Sequence, residues 1–179
     1  DRDRVPGYHY DFEHSLLTSG EAIAGMLAQR ELEEHSAGYS YQAAFADDAT
    51  PPGGRSALAV TVPFSTYKTG VFLYDEASGS YLVEEYGQPY VDGNDGSQVS
   101  VTNLLVLQTV CTVVDDAGRV NVDLSSGKGW FACGGRMIPI NWEKGAAENQ
   151  FRYTTARRKH LKLCTDCGIL NIRKAPTPR

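Results

Sequence analysis

The run NLLVLQTVCTVV, beginning at Asn103, constrains the fold of this chain more than any other stretch. Its side chains are almost all apolar, so it has no polar face to give to water and must lie inside a sheet covered on both sides. Gln108 and Thr109 interrupt it, and it falls short of the roughly 20 apolar residues a membrane helix needs. It reads as a central strand, and the rest of the chain has to supply its neighbours and its cover.

Those neighbours are signalled by short alternating segments set between glycine turns. SALAVTVPF places Leu58, Val60 and Val62 on one side and is ended or bent by Pro63. KTGVFLYDEASGSYLVEEY predicts a hairpin whose turn takes its positive φ from Gly79. VDGNDGSQ is a loop, DDAGRVNVDL turns at Gly118, and GWFACGGRMIPINW is a hairpin turning at Gly134 and Gly135. QFRYTT, KHLKL and GILNIR are the last strands, and APTPR is a tail. Near the start, TSGEAIAGMLAQRELEEH predicts one amphipathic helix, with Thr18 and Glu21 as a capping box, Ile23, Met26 and Leu27 on one face, and Gly38 as the stop. One helix followed by about ten short strands predicts an α+β protein, mostly antiparallel β, with helical cover on one side. There is no alternation of strand and helix, no G-x-G-x-x-G and no phosphate loop, so neither a dinucleotide fold nor a cofactor is expected.

A chain of 179 residues, 41% hydrophobic, is long enough for one substantial core. DRDRVPGYHYDF has neither the basic leader nor the apolar core of a signal peptide, which fits either a cytosolic chain or one whose leader has been removed. The net charge of −5 argues against a general nucleic-acid binder, but the charge is unevenly spread. Residues 128–179 hold 11 Lys and Arg against 3 Asp and Glu, while residues 1–127 hold 6 against 19. Either two oppositely charged surfaces interleave in the fold, or the second half offers a basic face to an anionic partner.

The order of motifs resembles the C-terminal domain of the YerB-like lipoproteins, a bacterial family of uncharacterised function. The resemblance rests on a hairpin with Asp75, Gly79 and Tyr81; on Asp92; on Asn103 followed by apolar residues; on the Gly-rich hairpin running into Trp142; and on GILNIR as a closing strand. It spans roughly residues 57–173, and FEHSLLTSGEAIAGML resembles the end of the preceding family domain. It implies residues 1–56 as a helical remnant of that domain, 57–175 as the β-rich domain and 176–179 as a tail. It also implies a three-layer ββα sandwich in an extracytoplasmic protein anchored by a lipidated N-terminal cysteine. Most of the first domain and the anchor are then expected outside this sequence, with the membrane reached only through that anchor. The family supplies no catalytic residues to carry over.

Cys164 and Cys167 have the C-x-x-C spacing of metal knuckles, redox pairs and tight disulfides. A four-cysteine zinc site would have to gather Cys111 and Cys133 from separate strands. A redox pair would open a helix, whereas CGILNIR reads as strand. In the oxidising compartment the resemblance implies, a Cys164–Cys167 disulfide pinning the turn into the last strand is the favoured reading, with Cys111 and Cys133 as small buried hydrophobes. His160 shares a strand face with Cys164, the minimum for a thiol nucleophile, although a histidine beside RRK is ordinarily solvated. Asp92 and Asn94 start like a calcium loop, but Gly96 stands where a ligand belongs and no glutamate closes the frame, so Asx turns explain them.

FRYTTARRKHLK sets Arg152, Arg157, Arg158 and Lys159 among aromatic rings, the expected anionic-ligand site if one exists. An anionic envelope polymer or an acidic protein suits it better than nucleic acid. Trp130, Phe131 and Trp142 are expected in the core, and an exposed pair of them would point to a glycan platform. The leading expectation is a non-catalytic binding or scaffold domain with no metal. The alternative is an envelope enzyme whose groove is shared with the first domain.

Overall fold

The structure, a computed structural model, describes residues 18–32, 38–40, 43–146, 148–165 and 168–174, the last segment as backbone only. The chain divides into two compact units, 1–41 and 42–179. In the first unit α1 runs Gly20–Gln29. Its N-cap is Ser19, one residue later than the capping-box reading: extended Ser19 accepts the Ala22 N–H at 3.1 Å, which leaves Thr18 outside the helix. The helix also ends well before Gly38, at an Arg30 cap followed by Glu31 at φ +52°. Ile23 and Met26 remain exposed.

The second unit begins at Gln42, so residues 42–56, grouped above with the helix, contribute strands to the sheets. In order these are β1 (Ala44–Ala46), β2 (Arg55–Ser56), β3 (Ala59–Pro63), β4 (Thr69–Asp75) and β5 (Ser80–Glu85). Then come β6 (Gln88–Pro89), β7 (Ser100–Val101), β8 (Asn103–Thr109), β9 (Cys111–Val113) and β10 (Val120–Val122). β11 (Ser126–Cys133), β12 (Arg136–Glu143), β13 (Arg152–Thr155), β14 (Lys162–Cys164) and β15 (Gly168–Lys174) complete the set. The fold is the expected β-rich α+β class, mostly antiparallel.

A six-stranded sheet runs β13-β12-β11-β8-β15, with β2 also on β12; a five-stranded sheet runs β3-β4-β5-β6, with β7 also on β5. Two pairings are parallel, β15 with β8 and β1 with β14. β8 is the interior strand its composition demands, and consecutive residues face opposite layers. Leu104 and Val106 pack with Val60, Val62, Phe72, Tyr81 and Val83 of the five-stranded sheet. Leu105 and Leu107 pack on the other side with Phe131, Cys133, Ile140, Trp142 and Cys164. Within this unit that second side is covered by Ala49, Ile138, Phe151, Tyr153, Leu161 and Leu163. Leu58, expected beside Val60 and Val62, precedes β3 and is exposed.

Turn chemistry sets the hairpins. Gly79 has φ +70°, and Gly134 and Gly135 both have positive φ, the signature of a two-residue type I′ turn. At Gly134 a Cβ would also collide with Thr50, so the turn is pinned sterically as well as conformationally. The long apolar run breaks at Val110, where the Thr109 hydroxyl donates to the Asp123 carbonyl and the Asp123 N–H returns to Val110 O at 3.0 Å. Beyond that point β9 and β10 form a separate two-stranded ribbon. Cys111, Val113, Val120 and Val122 share one face of it, and Thr112 and Asn121 share the other. The three valines are exposed.

Asn103 locks the layers together at the start of β8. Its side-chain amide donates to the Cys164 carbonyl at 3.0 Å, and its carbonyl oxygen accepts the Cys164 N–H at 2.8 Å, both in the dry interior. Asn103→Ala would strand two buried backbone groups at roughly 1–3 kcal/mol each. Urea unfolding should show a loss of about 3 kcal/mol at unchanged m, and Asn103→Asp should not restore it, because a carboxylate cannot donate to the Cys164 carbonyl.

Candidate functional site

The four cations expected to act together are held at the two ends of one strand. β13 pairs with β12 from Glu143↔Arg152 to Ile140↔Thr155, so Arg152 opens the strand and Arg157, Arg158 and Lys159 lie in the turn beyond its far end. That turn is tightly tied: Thr155 N–H donates to Lys159 O at 2.9 Å, Arg158 N–H to Thr155 O at 2.8 Å, and Lys159 N–H to Thr155 Oγ1 at 3.3 Å. Arg158 adopts φ +57°, and all three turn cations are exposed. Four residues of strand separate the two groups by about 10 Å. They form two sites along one edge of the sheet.

Arg152 lies between two surface clefts. The first, about 450 Å³, is polar and is lined by Ser125, Ser126, Glu143, Lys144, Asn149 and Gln150 together with Arg152. The second, about 320 Å³, is lined by Phe151, Tyr153, His160, Leu161, Leu163 and Ala44 beside the same arginine. Phe151 and Tyr153 stack with centroids 6.0 Å apart and rings within 5° of parallel, and Lys144 Nζ lies 5.9 Å over Phe151. Cations therefore meet ring faces here, as the interleaved sequence suggested. Lys144 was missed by sequence reading because it lies outside the FRYTTARRK segment and reaches Phe151 only through the β12–β13 pairing.

The other candidates separate cleanly. Phe131 and Trp142 are core, with Trp142 donating its indole N–H to Lys128 O at 3.0 Å. Trp130 is half-buried on the opposite side, with the Arg55 guanidinium 4.3 Å above its ring. In the acidic loop Asp92 accepts the Asn94 backbone and side-chain N–H groups, and Asp95 accepts from Ser97. The Asp95 carboxyl is held below the usual range by the Ser97 hydroxyl and then its N–H. These are Asx turns. Among the described residues no three His, Cys, Asp or Glu side chains gather as a metal site would require. His160 is exposed, whereas Cys164 is buried with its thiol donating to Asp47 O at 3.3 Å. Cys167 lies outside the described residues, and with it the Cys164–Cys167 bridge. Cys111, expected to be buried, is half-exposed, because the ribbon that carries it leaves the sandwich at Val110.

The model of the family described as "Protein of unknown function (DUF3048) C-terminal domain" matches residues 60–165. The chain belongs to this family. Among solved structures it is similar to the crystal structure of the YerB protein from Bacillus subtilis, with a TM-score of 0.69 and 18% identity over 89% of this chain. The chain spans about half of that one, 52%. Comparison with curated proteins finds no match.

Of the motif residues, Tyr81, Asn103 and the Gly134–Gly135 turn lie inside the fold near Cys133. Tyr81 is fully buried against Tyr74, with ring centroids 5.2 Å apart, and its hydroxyl faces the Gly135 amide without a hydrogen bond of ordinary geometry. Burial, then the neighbouring Cys133 and Tyr74, raises its pKa. Cys133 ends β11 beside the Gly134–Gly135 turn and shares an apolar cluster with Cys164, the residue Asn103 holds. Burial pushes Cys133 up to about 11, with Cys164 and the Asp48 charge adding to it. Tyr81, Asn103 and Trp142 are buried in the DUF3048 domain, whereas Asp92 lies in an exposed loop.

A thiol whose pKa rises on folding keeps its proton in the folded state at pH values where the unfolded chain loses it. Cys133 thus adds stability below its unfolded pKa, ordinarily about 8.5, and this is lost as pH climbs toward about 11. In the folded, reduced protein at pH 8, iodoacetamide should label Cys111 before Cys164 and Cys133, with Cys133 the slower of those two, and peptide mass spectrometry reads the order. Early labelling of Cys133 would contradict the buried placement.

Proposed function

We propose that this DUF3048 domain is a non-catalytic binding module at the bacterial cell envelope, part of an extracytoplasmic lipoprotein, and that it holds an anionic polymer along the β13 edge. The observation that carries the reading is Arg152 between two open clefts, with Lys144 on one side, stacked rings on the other, and Arg157, Arg158 and Lys159 one strand-length away. A polymer with anionic groups at repeating intervals can engage both ends of β13 at once, whereas a small anion engages one. Joining two weak sites on one ligand raises affinity through effective concentration. The charge distribution agrees: β11 to β14 carry Lys128, Arg136, Arg152 and Lys162 against Glu143, while β4 and β5 carry Asp75, Glu84 and Glu85 and no cation. A basic surface on an acidic chain also disfavours indiscriminate attachment to polyanions.

Binding to poly(glycerol phosphate), followed by fluorescence anisotropy, should weaken about tenfold in Arg152→Ala and again in the Arg157, Arg158, Lys159 triple alanine variant. It should fall steeply between about 50 and 200 mM salt. Monomeric glycerol phosphate should bind far more weakly and should not distinguish wild type from the triple variant. Polymer binding that ignores both sets of substitutions and the salt would end this reading.

A further inference from the structure

Two elements far apart in sequence bring Cys133 and Cys164 together. Cys133 is 3% exposed at the end of β11 in the six-stranded sheet, and Cys164 is 7% exposed at the end of β14 in the β1–β14 pair. They belong to one apolar cluster, and the β8–β11 register that pairs Ala132 with Leu104 sets Cys133 beside Asn103, the residue that grips Cys164. The segment from Asp47 to Thr50 runs past both: Cys164 Sγ–H donates to Asp47 O, and Thr50 lies against Gly134, the residue after Cys133. Asn103 fixes Cys164 from the other side by gripping its backbone N–H and C=O. Both cysteines are thus held beside Asn103 in one dry cluster.

We propose that Cys133 and Cys164 are a disulfide-forming pair, a covalent cross-link between the six-stranded sheet and the β1–β14 pair. The reaction takes two steps with a small disulfide oxidant. One cysteine thiolate attacks the oxidant, forming a mixed disulfide and releasing one small thiol. The second thiolate attacks the protein sulfur of that mixed disulfide, releasing the second small thiol. Two protons and two electrons leave the protein, and one oxidant disulfide becomes two thiols. Since both groups are buried, and burial keeps Cys133 protonated at neutral pH, exchange is slow in the closed fold. The bridge therefore forms while β1 and β14 are still settling onto the sheet, and the same burial then protects it from reductants.

This pairing competes with a Cys164–Cys167 bridge, because Cys164 can join only one partner. The chemistry needs an oxidising setting, which the proposed envelope location supplies, but the test runs in vitro and is independent of ligand binding. The full chain is refolded with oxidised glutathione, free thiols are capped with N-ethylmaleimide, and trypsin is added without reduction. Cleavage gives GWFACGGR (129–136) and LCTDCGILNIR (163–173). These should appear as one cross-linked species that splits in two on reduction, and Cys167→Ser should retain it. The oxidised wild type should also melt on the order of 5–10 °C above the reduced form, a difference that Cys133→Ala abolishes. Three results would overturn the proposal: 163–173 recovered alone and lighter by two hydrogens, maleimide on both Cys133 and Cys164 after oxidation, or a melting difference that survives Cys133→Ala.

Discussion

The grip of the Asn103 amide on both backbone groups of Cys164 is the contact on which the rest of this structure depends. β8 begins there, and β8 is the strand that both hydrophobic layers share. An apolar residue at 103 would bury as well but would leave the Cys164 amide and carbonyl without partners in a region water does not reach. Only a side chain that both donates and accepts in one plane can serve an N–H and a C=O of the same residue, which restricts the position to Asn or Gln chemistry at that length. Asn103, with the Leu161 N–H bond to Tyr153 O at 2.9 Å, registers the parallel β1–β14 pair against the main sheet.

The layering follows from the alternation on β8. Leu104 and Val106 face the five-stranded sheet, and Leu105 and Leu107 face Phe131 and Trp142, so the strand is apolar at consecutive positions and has no solvent face. Strands farther from the centre alternate instead, as β3 and β12 do. The same geometry separates buried motif residues from the surface clefts. Tyr81, Asn103 and the Gly134–Gly135 turn are required by the interior, whereas the clefts at Arg152 are built from residues whose position depends on the β12–β13 register.

What could be read directly was whatever local chemistry decides. Glycines with positive φ announced the hairpins at Gly79, Gly118 and Gly134, and consecutive apolar residues announced β8. The break at Val110 was illegible because it is made by a hydrogen bond to Asp123, on the far side of a turn. The helix cap moved from Thr18 to Ser19 because both are good caps and only backbone geometry separates them. The cationic segment was found, but its division into two ends was not, since spacing along a strand says nothing of the turn that follows. Neither parallel pairing carries a local signature, so the meeting of Cys133 with Cys164 could not be anticipated from two cysteines 31 positions apart.

The ribbon of β9 and β10 stands outside this network. It is held to the body at Thr109, Val110 and Asp123, and its internal stability rests on three paired positions and the Asp115–Arg119 contact at its tip. Two strands alone are marginal in water. Opening the ribbon exposes little that is not already exposed, so it costs far less free energy than parting the sandwich. Its amides should exchange with solvent by fraying from the tip toward Val110, while those of β8, a few residues upstream on the same continuous run, exchange only when the whole domain unfolds.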